Sequence, residues 1–218
     1  MTDARATYFR SLHWAWHSPL HTGAQAGACL WWKVRINQRL QLLEEVTFSH
    51  MHESLLCEMI LAKDRRLLIP AIAYTVAQPS LFPKNMKGYK GFIGQYVAET
   101  LAFYGVPVIQ ADDDELNGWA RVHALLRPSP DGEPWLMIAP SCETLIKALG
   151  TAMSEEKQPD EIADAAPVLR ALRYGAMTRP APDTVLADTG DAPFGTPRYY
   201  MQRAMREHQS ARPFGGIH

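Results

Sequence analysis

Alternation of apolar and polar positions opens the chain. From Tyr8 to Trp16 aromatic and aliphatic side chains partly alternate with polar ones, which predicts a strand. A loop rich in Gly, His and Ala follows from Ser18 to Gly27. Ala28–Ile36 and Leu40–Phe48 predict two more strands, joined by a short Asn37-Gln38 connection without glycine. Three strands with tight links predict an antiparallel meander. At Met51 the period changes to that of a helix, with Leu55, Met59 and Ala62 on one stripe, and Pro70 ends it. Ala71–Ala77 is a continuous apolar run of the kind buried in the middle of a sheet, closed by Gln78-Pro79-Ser80. Phe92–Tyr104 predicts a helix with Gly105 as its cap, and Val106–Gln110 a second short buried strand. Asp112 to Asp114 supply an N-cap and first-turn acids for a helix to Leu126. Trp135–Ile138 predicts a small strand, Ser141 caps a helix to Leu149, and Asp160–Met177 predicts a helix interrupted near its start by Pro167.

A meander followed by two strand-helix crossovers requires the later strands to be parallel and the crossovers right-handed. The fold class expected is α/β, with a ribonuclease-H-like mixed sheet: an antiparallel three-strand meander plus two parallel strands, flanked by helices. Residues 1–178 form this domain. From 179 to 218 the composition shifts to Pro, Asp, Gly and Thr, which predicts an extended tail. Within it Pro197–Gln209, with Arg198, Arg203 and Arg206, predicts one short, mildly basic helix suited to holding a partner.

Composition narrows the classes. Of 218 residues, 47% are hydrophobic, enough for a core and too many for a disordered chain. Lys and Arg number 22 against 23 Asp and Glu, so no global positive excess exists to neutralise phosphates. Cys29, Cys57 and Cys142 are odd in number and far apart, without a CxxC pair, which predicts buried reduced thiols rather than a zinc ribbon or disulfide framework. No apolar signal core begins the chain and no run is long enough to span a membrane, so a cytoplasmic protein is expected.

Several stretches, in order, resemble one family. They are Ser11-Leu-His-Trp-Ala-Trp16, Cys29-Leu-Trp-Trp32, Val76-Ala-Gln-Pro-Ser80, Ala98-Glu-Thr-Leu101 and Tyr104-Gly-Val-Pro107. The run continues with Ala111 to Leu126, reading ADDDELNGWARVHALL, and with Ala171-Leu-Arg-Tyr-Gly175. Together they resemble the C-terminal nuclease domain of the tailed-phage large terminase subunit. That family reads S-I-D-W-G-Y, L-W-W, A-D-P-S, A-E-T-L, G-V-P, A-D-N-D-R-x-N-G-W-x-R-V-x-x-L-L and A-L-R-Y-G at the corresponding places.

The resemblance implies a metal-dependent endonuclease that cuts concatemeric viral DNA during packaging. Such chemistry uses two divalent cations about 3.5–4 Å apart, held by hard oxygen ligands. The family places aspartates at the end of the first strand, in the A-D-P segment and before A-L-R-Y. Here those positions carry His13, Gln78 and Arg170, so three negative charges become one positive. Pro167 stands at the family's usual nearby His, and Glu45, on the third strand, is the surviving acid. The expected arrangement has Arg170 in the vacated cation position, pointing toward Glu45 or Gln78; a solvated helix arginine is the alternative.

The expected function is therefore that of a catalytically degenerate relative of the terminase nuclease domain, a binding or regulatory component of viral DNA packaging. No metal site and no cofactor are expected. The partners expected are DNA, a packaging-motor component or other phage proteins, or a second copy, with no membrane. The setting implied is a bacterial host cell, with phage or prophage encoding. The alternative is an active endonuclease with rearranged ligands, Glu45 with His13 and an acid such as Asp112, using Mg²⁺ or Mn²⁺. A third reading is a decayed prophage product without a selected activity. No G-x-x-x-x-G-K-[ST] motif appears, so no motor activity is expected.

Lys84, Lys87 and Lys90, with Tyr89 among them, would suit a phosphate backbone, against a plain solvated loop. His13, His17 and His21 have a spacing that aligns ligands only on a helix, so loop histidines are expected rather than a soft-metal site. Asp112, Asp113 and Asp114 are expected to cap, and Glu115 reverses the charge of an arginine common in the family. Trp31, Trp32 and Trp119 are expected in the core, with Gly118 allowing close approach beside Trp119.

Overall fold

The computed structural model describes residues 6–14, 27–35, 38–49, 51–82, 92–129, 132–154 and 167–179. The strands are β1 (Thr7–Trp14), β2 (Gly27–Val34), β3 (Leu40–Phe48), β4 (Thr75–Ala77), β5 (Ile109–Gln110) and β6 (Leu136–Ile138). The helices are α1 (Glu53–Arg66), α2 (Phe92–Phe103), α3 (Glu115–Leu126), α4 (Glu143–Ser154) and α5 (Pro167–Met177). They build one sheet in the order β5-β4-β1-β2-β3-β6. β2 runs antiparallel to both β1 and β3, whereas β4 pairs parallel with β1, β5 with β4, and β6 with β3. This is the ribonuclease-H-like α/β arrangement expected from the element order.

The sheet is covered on both faces, so β1 and β2 are buried along nearly their whole length, polar Arg10, Ser11 and His13 included. Phe9, Ala28, Leu30, Trp32, Leu40 and Leu42 pack against α3, α4 and α5. Leu12, Trp14, Cys29, Trp31 and Phe48 pack against α1 and α2. Trp31 and Trp32 are fully buried and Trp119 nearly so, as expected of core residues. Cys29, Cys57 and Cys142 are free and buried; burial raises their thiol pKa values to about 12, 11 and 12. No described helix is long and apolar enough to cross a membrane.

Three features differ from the sequence reading. β6 joins the sheet as a sixth strand on the far side of the meander, because its backbone pairs parallel with Leu40–Leu42. β5 is an exposed edge strand rather than a buried one, since nothing pairs with its outer side among the described residues. Of the predicted helix Asp160–Met177, α5 accounts for Pro167–Met177, and residues 160–166 lie outside the described residues. Ser141 does not cap α4, because its hydroxyl donates to the Leu43 carbonyl at 3.2 Å. The lysines 84, 87 and 90, the histidines 17 and 21, and the tail beyond 179 lie outside the described residues.

Candidate functional site

His13 stands next to last in β1 and Gln78 directly follows β4, so both lie at the carboxyl ends of two adjacent parallel strands. Ligands of open α/β sheets bind at such ends. The side chain of His13 shares a face with Ser11 and Val76 and meets the Tyr174 ring of α5, with ring centres 6.1 Å apart. The imidazole is 5% exposed. Its pKa falls to about 3, through burial first and then the charges of Arg170 and Arg173, so it is neutral at physiological pH. Among the described residues its Nδ1 has no hydrogen-bond partner.

Gln78 is not a spare polar group. Its Oε1 accepts from the Trp14 backbone N–H at 2.6 Å, while Nε2 donates to the Trp14 carbonyl at 2.5 Å and to Ser80 Oγ at 2.8 Å. The side-chain amide acts as an extra peptide, extending the β1–β4 pairing by one rung. A carboxylate has no donor for the Trp14 carbonyl and cannot do this.

Glu45 is also committed. Its Oε1 accepts from Thr144 N at 2.6 Å and its Oε2 from Leu145 N at 2.9 Å. The N-terminus of α4 is thus capped by a carboxylate from β3, where it meets the positive end of the helix dipole. β2 separates β1 from β3, which puts about 10 Å of sheet between the backbones that carry His13 and Glu45.

Arg170 sits half-buried on α5, near enough for its charge to bear on both His13 and Tyr174. Beside it lies a group that sequence reasoning missed. Arg173, 4% exposed, donates from Nη2 to Asp113 Oδ1 at 2.7 Å and from Nη1 to the Asp113 carbonyl at 3.0 Å. Its guanidinium carbon is 5.2 Å from the centre of the Tyr174 ring. Burial, followed by the Asp113 charge, pushes the Tyr174 hydroxyl up to about 12, and the hydroxyl hydrogen-bonds Asp113. Arg173 reaches Asp113 by passing over Gly118, where a Cβ would lie 2.4 Å from its Cγ. Gly118 therefore makes room for an arginine rather than for Trp119. The aspartates divide their work. Asp114 caps α3 by accepting from Asn117 N at 2.9 Å, Asp112 accepts from Asp114 N at 3.0 Å, and Asp113 holds Arg173.

The donor set does not fit a pair of hard divalent cations. Such ions take several carboxylate oxygens in near-octahedral geometry. The positions in question offer a neutral imidazole, an amide engaged on both its atoms, a carboxylate engaged on both its oxygens, and a guanidinium. Among the described residues no three His, Cys, Asp or Glu side chains converge.

No protein-family model matches the sequence, and no curated protein does. Among solved structures, the chain is similar to the large terminase nuclease domain of bacteriophage SPP1 with bound Mn, at 11% identity over 77% of this chain and 84% of that one, with a TM-score of 0.49. It is also similar to Thermus thermophilus RuvC in complex with Holliday junction substrate, at 17% identity, 79% and 96% coverage and a TM-score of 0.34. A second structure of Thermus thermophilus RuvC gives 18% identity, the same coverage and a TM-score of 0.31. The likeness is one of fold. The fold assignment itself stands on the strand order and directions described above.

Burial of a neutral histidine ties stability to pH. The unfolded imidazole takes up a proton below about pH 6.5, whereas the folded one resists until about pH 3. In that window the unfolded state binds more protons, so stability falls as pH falls. Between pH 6.5 and 5 the loss attributable to His13 is expected to be about 2 kcal/mol. Urea unfolding of wild type and His13→Asn at both pH values checks this; equal losses in the two proteins would refute it.

Proposed function

We propose that the chain is a catalytically degenerate relative of the terminase nuclease domain and acts as a binding or regulatory component of viral DNA packaging in a phage-infected or prophage-carrying bacterial cell. The observation that supports this most directly is that the residues at the family's metal-ligand positions have other work. Gln78 mimics a peptide and needs an amide to do so. Glu45 caps α4 with both oxygens. His13 is neutral beside two arginines, and Arg170 brings positive charge where the family has an aspartate. In this reading Arg170 stands in electrostatically for part of the charge a metal would supply. DNA is the proposed partner, and Lys84, Lys87 and Lys90 are proposed to touch its backbone. A packaging-motor component or another phage protein is the second proposed class of partner.

A plasmid-nicking assay with Mg²⁺ or Mn²⁺ tests the reading. No divalent-dependent cutting above a metal-free control is expected. Cutting that depends on the metal and disappears in Glu45→Gln, a variant that retains one acceptor for the α4 N-terminus, would overturn it in favour of an active endonuclease with rearranged ligands.

A further inference from the structure

β1, β3, β4, β5 and β6 run in one direction and β2 in the other, so all but β2 begin at the same end of the sheet. His13 and Gln78 lie at the opposite end. The end where the strands begin carries cations on both faces. On one face, α1 runs back from the far end until Lys63 meets Glu44 at 3.3 Å and Asp64 meets Arg10 and Trp31. Arg65 and Arg66, both exposed, close the helix there. Lys33 lies two residues beyond Trp31 on the same face of β2, its Nζ 6.0 Å from the centre of the Tyr8 ring. Arg35 follows β2 directly, and its N–H donates to the Arg39 carbonyl at 2.8 Å.

On the other face, Arg179 follows α5 and its guanidinium carbon is 5.8 Å from the centre of the Phe9 ring, near the start of β1. Its carbonyl accepts from Nη1 of the buried Arg121 at 2.6 Å. Arg127, exposed, closes α3 just before Ser129, whose hydroxyl accepts from Arg39 Nη2 at 2.8 Å beside the head of β3. The described acids nearest to these groups are already paired: Asp64 with Arg10, Glu44 with Lys63 and Glu133 with Arg39. Lys33, Arg35, Arg65, Arg66, Arg121, Arg127 and Arg179 have no acidic partner among the described residues. A chain of formal net charge −1 therefore has a basic pole, with Asp112 to Glu115 grouped toward the other end of the sheet.

The arrangement selects the ligand. The cations occupy three layers, helix, sheet and helix, and so spread over about 20 Å instead of converging on one point. A small anion would meet only one or two of them. A nucleic-acid duplex presents one negative charge per roughly 1.7 Å of its axis, and can meet several at once. Arginine predominates, and its planar fork matches phosphate oxygens in pairs. We propose that this basic end of the sheet is an interaction surface for the phosphate backbone of a nucleic-acid duplex. Lys33, Arg35, Arg65 and Arg66 meet it on one face and Arg127 and Arg179 on the other, with Arg121 adding charge behind them. The proposal rests on the reading that DNA is the partner. It goes further in placing the duplex at the end of the sheet remote from the family's metal-ligand positions.

Anisotropy of a short labelled DNA duplex, titrated with the full chain in EDTA at several salt concentrations, tests it. The triple variant Arg65→Gln, Arg66→Gln, Arg127→Gln removes exposed cations from both faces, and its Tm is expected to stay near that of wild type. Binding is expected to weaken about tenfold or more, with a salt slope smaller by about two to three units. The matching Arg→Lys triple variant is expected to keep most of the slope. Should the Gln triple variant fail to fold, Arg65→Gln and Arg127→Gln singly are each expected to lower the slope by about one unit. Unchanged affinity and slope in folded variants, with wild type binding the duplex, would overturn the surface and leave the DNA partner standing. A wild-type chain that binds no duplex would overturn both. A labelled oligo-glutamate peptide bound more tightly than the duplex, and lost in the same variants, would replace nucleic acid by an acidic polypeptide as the occupant and so overturn the proposal. Failure of the non-cutting reading shows separately, as Mg²⁺- or Mn²⁺-dependent nicking.

Discussion

Replacing Gly175 with alanine is expected to destabilise the domain by about 3 kcal/mol or more, the upper part of the range for overpacked cores. α5 crosses the sheet at this residue so closely that a Cβ would lie 2.3 Å from Cζ2 and 2.4 Å from Cε2 of Trp32. The indole has nowhere to go. It is fully buried, stacked on Phe9 with ring centres 5.3 Å apart, and its Nε1 donates to Ser11 Oγ at 2.8 Å. Intrinsic helix propensity favours alanine over glycine by about 1 kcal/mol, so a loss of stability isolates the steric term. For a chain of this size the loss corresponds to a fall in Tm of about 6–12 °C. Trp32→Phe in the Gly175→Ala background removes the atoms that clash and is expected to recover part of the loss. A single variant as stable as wild type would show that α5 can lift from the sheet, and with it Arg170 and Tyr174.

Asp64→Ala carries the other large expected effect, about 3–5 kcal/mol. Arg10 lies in the middle of β1, 3% exposed, and its Nη1 meets Asp64 Oδ2 at 3.1 Å while its Nε donates to Thr75 Oγ1 at 3.0 Å. The other carboxylate oxygen accepts from Trp31 Nε1 at 2.7 Å. Truncation leaves a buried guanidinium without its counter-charge and an indole N–H without its acceptor, on the face packed by α1. Removing both charges together, as in Arg10→Met with Asp64→Leu, is expected to cost far less than Asp64→Ala, because apolar replacement of a buried pair is often neutral. Chemical denaturation of the two single variants and the double variant measures the coupling. Equal stability of Asp64→Ala and wild type would place Arg10 within reach of water.

The fold was largely legible because its signals are local. Alternation and apolar runs marked β1, β2 and β3, and helical periodicity marked α1, to within two residues at most ends. Asp114 was recognisable as a cap because its acceptor lies three residues away. The α4 cap was not, because its carboxylate comes from Glu45, a hundred residues back along the chain, and Ser141 offered a nearer but mistaken candidate. β5 read as buried because Val106–Gln110 is apolar, yet its place at the sheet edge leaves Ile109 half exposed. β6 was seen as a strand, but nothing local to Trp135–Ile138 names β3 as its partner.

The candidate site divides along the same line. By itself the sequence determined which residue types occupy the positions of interest, His13, Gln78, Glu45 and Arg170, and therefore that the local charge is inverted relative to the family it resembles. Only the tertiary structure decided what each residue does. Gln78 turns to the backbone of Trp14, Glu45 to α4, and His13 to a ring and two arginines, with Asp113 and Arg173 entering the cluster from other elements. The reason is physical. A residue's charge belongs to its own chemistry, but hydrogen-bond partners, burial and pKa depend on groups brought together over some sixty to a hundred and sixty residues of chain, and no local pattern records them.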